Sequence, residues 1–77
     1  MTQAYILVNS ELGSEEEVKE RLRRLPEVRE AHIVYGFYDI VVRVEAEDTE
    51  VLKNMVFSKI RKTDGVRSTL TMIVIDG

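Results

Sequence analysis

The stretch from Val34 to Asp48, VYGFYDIVVRVEAED, decides how this chain folds. Two hydrophobic runs meet at Gly36-Phe37-Tyr38-Asp39. Upstream, Val28 to Tyr35 reads as a strand, with Ala31, Ile33 and Tyr35 on one side and His32 and Val34 on the other. Downstream, Tyr38 to Glu45 reads as the next strand. The gap is too short for anything but a hairpin turn, so the two strands are antiparallel neighbours. Glycine and aspartate are ordinary turn residues. Two large aromatics beside them are not, in a chain with three tyrosines, two phenylalanines and no tryptophan.

Before the hairpin, Ala4 to Val8 is a short apolar strand bounded by Asn9 and Ser10. Ser14-Glu15-Glu16-Glu17 has the form of a capping box, a hydroxyl followed three residues later by a glutamate. Val18, Leu22 and Leu25 then repeat at helical spacing, and Pro26 stops the helix. Beyond the hairpin, Asp48 or Thr49 caps a second helix with Val51, Leu52, Met55, Val56 and Ile60 on its apolar face. The basic run Lys59-Ile60-Arg61-Lys62 suits the negative end of that helix's dipole, with a phosphate-binding patch as the sharper alternative. Asp64-Gly65 terminates it. Ser68 to Ile75 alternates as a last strand. Each helix is followed by a turn and then Val-Arg, at Val28-Arg29 and Val66-Arg67, so the two halves echo each other.

The order is β-α-β-β-α-β. Two such halves joined by right-handed crossovers give an α+β, ferredoxin-like sandwich: a four-stranded antiparallel sheet with two helices on one face. A sheet with one wet face should alternate apolar and polar residues. Here Tyr5 and Leu7 oppose Ala4, Ile6 and Val8, while Leu70, Met72 and Val74 oppose Ile73 and Ile75. Two helices cover only one of these faces. The other is expected to bury itself in a homodimer, sheet against sheet.

Size points the same way. The chain has 77 residues, enough for one domain. A core this small supplies only about 3–5 kcal/mol, so small domains lean on disulfides, metals or partner subunits. With no cysteine and one histidine, self-association is the expected reinforcement. A net charge of −3 argues against a nucleic-acid-binding face. No apolar run approaches the roughly 20 residues of a membrane span, and a soluble, cytoplasmic protein is expected.

Gly36-Phe37-Tyr38-Asp39 supports two readings. In one, Gly36 supplies a positive φ and Asp39 bonds the turn backbone. In the other, amides at the glycine turn hold a carboxylate and Asp39 receives an ammonium, the two charges of an α-amino acid. Thr69 and Thr71 lie two apart and point the same way, as strand formers or as ligand donors. His32 is expected to pack among apolar neighbours. Met55, Met72 and Phe57 read as core or interface. Glu45-Ala46-Glu47-Asp48 reads as a solvated loop; it lacks the glycine-punctuated pattern of calcium loops. No catalytic constellation, metal site or cofactor site is expected.

The hairpin motif Gly36-Phe37-Tyr38-Asp39-Ile40-Val41-Val42, together with Asp64-Gly65-Val66-Arg67-Ser68-Thr69-Leu70-Thr71-Met72-Ile73-Val74, resembles the effector (RAM) domain of the Lrp/AsnC feast/famine transcription regulators. The resemblance covers essentially the whole chain. It implies a single effector domain over residues 1–77 without the helix-turn-helix domain of the full regulators, and so no direct contact with nucleic acid. It also implies dimers that assemble into octamers or decamers, with an amino-acid effector bound between dimers near the hairpin turn. Carried over by position, Gly36, Tyr38 and Asp39 match the effector loop, Thr69 and Thr71 match the hydroxyl-bearing last strand, and Tyr35 flanks the loop as a pocket wall. Phe37 departs from the polar residues many regulators have there, which implies a more apolar pocket, a different effector or a lost site. Full-length Lrp/AsnC-type regulators are the implied protein partners.

The expected function is amino-acid sensing coupled to assembly, modulating a regulator or enzyme of amino-acid metabolism. Two alternatives stand beside it: a purely structural assembly domain with a vestigial pocket, and a small dimeric ferredoxin-like enzyme in which His32 is the only obvious polar group.

Overall fold

The computed structural model describes residues 1–76. The elements are β1 (Thr2–Ser10), α1 (Glu15–Arg23), β2 (Val28–Ile33), β3 (Ile40–Ala46), α2 (Thr49–Met55) continued by a π-helical turn (Val56–Ile60), and β4 (Val66–Ile73). The strands form one antiparallel sheet in the order β2-β3-β1-β4. This is the expected βαββαβ sandwich.

Alternation sorts each strand between the two faces. Ala4, Ile6 and Val8 of β1 and Ile40, Val42 and Val44 of β3 are fully buried. They form one core with Val18 and Leu22 of α1, Leu52 and Met55 of α2, and Val56 and Ile60 of the π turn. Each fully buried aliphatic side chain of this kind contributes about 1.5–3 kcal/mol. No helix is long and apolar enough to cross a membrane.

The two helix starts differ. Asp48 is extended and its side chain accepts the Val51 N–H at 2.9 Å. Ser14 sits at φ −104°, ψ 9° and makes no side-chain cap bond. That backbone does not aim the hydroxyl at the first turn as an extended cap residue does, so the expected capping box is not formed. Its carbonyl still accepts the Val18 N–H at 2.9 Å. In the second helix, Arg61 N–H bonds back five residues to Val56. Val56 and Ile60 stay buried, while Phe57 and Val51 are exposed.

The hairpin is wider than the spacing suggested. The last β2–β3 pair is Ile33–Ile40, so residues 34–39 form the connection. The reason lies in β1. The Asp39 amide donates to the Val8 carbonyl at 2.9 Å, continuing the β1–β3 ladder. Gly36 turns through φ +140°, a region closed to most side chains. The loop is closed by Val34 N–H bonding the Asp39 carbonyl at 2.8 Å. Gly65 is constrained twice over. Its φ is +93°, and a Cβ there would meet Val18 Cγ2 at 2.6 Å.

The uncovered sheet face is divided. Its β1–β4 half is apolar: Tyr5 pairs with Met72 and Leu7 with Leu70, and Tyr5, Leu70 and Met72 are 41–45% exposed. Its β2–β3 half is ionic. Arg43 donates to Glu30 at 2.8 Å, Glu45 at 2.9 Å and Gln3 at 3.3 Å. His32, expected to pack among apolar residues, is exposed on this half, with Nε2 3.1 Å from Glu30 Oε1. Alternation aims it away from the helices, because its neighbour Ala31 is the residue that enters the core.

Candidate functional site

The same irregularity occurs in both halves of the fold. On β4, Asn9 pairs with Ser68 but Ser10 pairs with Val66, leaving Arg67 as the extra residue of a bulge. On β2, Val28 pairs with Val44 and Glu30 with Arg43, and the residue passed over is Arg29. The repeated Val-Arg of the sequence is thus a repeated β-bulge, a device that re-aims one side chain out of the regular alternation. The two arginines are used differently. Arg29 donates to Glu45 at 3.3 Å and to the Pro26 carbonyl at 3.2 Å. Arg21, Arg23 and Arg43 are also hydrogen-bonded within the chain. Arg67 has no such bond among the described residues, and it faces two clefts.

The larger cleft, about 810 Å³, lies between α2 with its π turn and the helix-side face of β4. Lys53, Asn54, Phe57 and Arg61 line it from the helix; Arg67, Thr69 and Thr71 line it from the strand. Thr69 and Thr71 stand opposite Val8 and Ile6, on the side of the sheet that the core uses. Arg61 and Lys62 lie over the exposed Phe57 ring, 5.4 and 5.9 Å from its centroid, within the range of cation–π attraction. The smaller cleft, about 490 Å³, is lined by Asn9, Ser10, Leu12, Glu15, Asp39, Arg67 and Ser68. Arg67 and Ser68 belong to both.

The residues singled out in the sequence therefore fall in three places. Thr69 and Thr71 are in the larger cleft and Asp39 is in the smaller one. Tyr35, Gly36 and Phe37 stand exposed at the hairpin tip, with Tyr38 half-buried beside them. Asp39 Oδ2 accepts the Ser10 amide at 2.9 Å and lies 3.4 Å from the Ser10 hydroxyl. That bond pins the hairpin to the end of β1. One copy of the chain does not bring the loop and the threonines into a common cleft. Lys53 was not singled out, Arg61 was named only within the basic run ending the second helix, and Arg67 only within the repeated Val-Arg. The doubled Val-Arg was visible in the sequence, but its spacing does not reveal a bulge, because the register of a strand depends on its partner.

On the uncovered face, ion pairing shifts the titrating groups. The His32 ring and then the Arg43 guanidinium hold the Glu30 carboxyl below the usual range. Arg29 and then Arg43 do the same for Glu45. Arg43 is raised in turn, by Glu30 first and also by Glu45.

Comparison with known proteins decides the family. The family model described as the Lrp/AsnC ligand binding domain matches residues 3–77. The chain belongs to the Lrp/AsnC ligand-binding domain family. An uncharacterized HTH-type transcriptional regulator of Pyrococcus horikoshii is 36% identical over 75 residues, which are 94% of this chain and 50% of that regulator. The chain thus spans about half the length of the curated regulators it matches. A homocitrate synthase of Saccharolobus islandicus is 45% identical over 58 residues, 75% of this chain and 12% of that enzyme. The crystal structure of a hypothetical protein from Pyrococcus horikoshii superposes with a TM-score of 0.92 at 43% identity, covering all of this chain and 93% of the other. A Neisseria meningitidis transcriptional regulator in complex with L-Met has the same fold, with a TM-score of 0.87 at 21% identity over 97% of this chain and 50% of its own.

Proposed function

We propose that the chain is an amino-acid-sensing effector domain that self-associates and modulates transcription regulators or enzymes of amino-acid metabolism. It acts as a binding module and not as an enzyme. The observation that carries this reading is the pair of clefts meeting at Arg67 and Ser68, one holding Asp39 and the other Thr69 and Thr71, in a chain of a ligand-binding family. In the proposed site, Asp39 receives the effector's ammonium, the amides around Gly36 and the Thr69 and Thr71 hydroxyls take its carboxylate, and Tyr35 and Tyr38 wall the pocket. The exposed loop of one copy closes over the cleft of another, so that sensing and assembly share one surface. A ligand held between copies favours whichever assembly it binds better.

Dimers form through the apolar half of the uncovered sheet face and join into octamers or decamers. The domain works in the cytoplasm, with full-length regulators carrying the same domain as its protein partners. Matches to a regulator and to part of a homocitrate synthase support both kinds of output.

The test is calorimetric titration of the protein against each of the twenty amino acids, repeated with Asp39→Asn. The asparagine keeps an oxygen for the Ser10 amide and removes the charge. Saturable heat for one or a few amino acids, lost in the variant, supports sensing. No heat for any up to several millimolar refutes it. A second reading, a scaffold whose pocket is vestigial, is favoured by the bond from Ser10 to Asp39, which orders the hairpin without any ligand. It predicts stable oligomers indifferent to every amino acid.

A further inference from the structure

The larger cleft has a one-sided charge. Lys53, Arg61 and Arg67 line it, and among the described residues no carboxylate does. These three cations make no ion pair among the described residues, as is also true of Arg24 and Lys62, whereas Lys19, Arg21, Arg23, Arg29, Arg43 and Lys59 all do. Asn54, Thr69 and Thr71 add neutral donors to the same walls. The adjoining cleft has the opposite bias, with Glu15 and Asp39 set against Arg67 alone. Arg67 stands between them on its bulge, while its counterpart Arg29 is already bound to Glu45.

A neutral amino acid brings one carboxylate to this arrangement. That would satisfy one cation, by a charge-assisted bond of the strong kind, and leave two like charges facing each other across the cleft. A second carboxylate on the ligand removes that mismatch. The ammonium then lies toward the acidic cleft, where the proposed function already places it.

We infer that the ligand of this cleft is an acidic amino acid, its α-carboxylate held at Thr69 and Thr71 beside Arg67, its side-chain carboxylate by Arg61 and Lys53, and its ammonium directed toward Asp39. This rests on the amino-acid-sensing reading and narrows it to one chemical class. Arg67, common to both clefts, orients the ligand; Arg61 and Lys53 select for the side-chain carboxylate.

The experiment compares L-glutamate with L-glutamine and L-aspartate with L-asparagine, pairs matched in shape and differing in charge, by calorimetric titration of the wild-type chain at low ionic strength. One acid is expected to bind about tenfold or more tighter than its amide, with the preference shrinking as salt is added. Arg61→Gln and Lys53→Gln, both at exposed positions, should weaken binding of the acid more than binding of the amide and so reduce that preference. Equal or tighter binding of the amides, or of any apolar amino acid, overturns the inference and leaves amino-acid sensing standing. Undiminished preference for the acid in both variants also overturns it. Absence of binding by all twenty amino acids defeats the broader reading, and the inference with it.

Discussion

Replacing Gly65 with alanine should be among the most damaging single-methyl changes available in this chain. The cost has two sources. At φ +93° an L-residue pays about 1–2 kcal/mol for left-handed backbone. The added Cβ also meets Val18 Cγ2 at 2.6 Å, and Val18 is fully buried, so α1 must shift or repack. Overpacking of this kind costs about 1–3 kcal/mol. Together these give about 2–5 kcal/mol, a large share of the stability of a small domain. Gly13→Ala is the built-in control. Its φ is +80°, close to that of Gly65, and nothing lies within 4 Å of the new Cβ, so it incurs only the backbone part.

Urea unfolding followed by circular dichroism, at one fixed protomer concentration because association adds to apparent stability, measures both. The Gly65 variant should lose about 1–3 kcal/mol more than the Gly13 variant, the overpacking part, with similar m-values. Equal losses would refute the contact with Val18 as the reason for glycine at this position. The consequence for binding is also predictable. The Gly65 carbonyl accepts the Glu11 amide at 2.8 Å, and the bulge that aims Arg67 begins one residue later. A folded Gly65 variant should therefore bind ligand more weakly than wild type.

Two further predictions concern the uncovered face. Leu70→Lys, at a half-exposed position, should leave the monomer folded but abolish dimers in sedimentation velocity; an unchanged sedimentation coefficient at matched concentration would contradict the sheet-to-sheet dimer. Glu30 and Glu45 have folded-state pKa values below the ordinary 4.5, so their ion pairs stabilise the fold above the unfolded carboxyl range and are lost as pH falls through the lower folded values. The urea midpoint should thus drop on acidification from about pH 6 to pH 3, and less steeply in a Glu30→Gln, Glu45→Gln double variant; parallel profiles would show that these carboxylates are not responsible.

Much of the fold was legible because its signals are local. The period-two alternation of β1 and β3 and the 3.6-residue spacing of Val18 and Leu22 depend on backbone geometry alone. So does the Asp48 cap, which formed as expected. Ser14 carries an equally good local signal, yet its side chain makes no cap bond, because the chain enters α1 with a backbone angle set by the surrounding packing. Of the candidate site, residue types were legible but their grouping was not. Asp39 looked like a ligand residue or a turn residue. The fold ties its carboxylate to Ser10 and leaves it lining a cleft, and both depend on the neighbouring strand.

Sequence alone determined the element order and most of each element's buried face, which follow from residue types at fixed short spacings, and its resemblance pointed to the family that the family model shows. The tertiary structure decided the register between paired strands, and hence where it slips. A bulge is a mismatch between two strands distant in sequence, so neither strand encodes it by itself. That mismatch singles out Arg67, while the identical Val-Arg pair on β2 places Arg29 against Glu45. Two arginines in the same local sequence thus have different chemistry, because the edge strand β4 borders two clefts and β2 borders the ionic half of the open face.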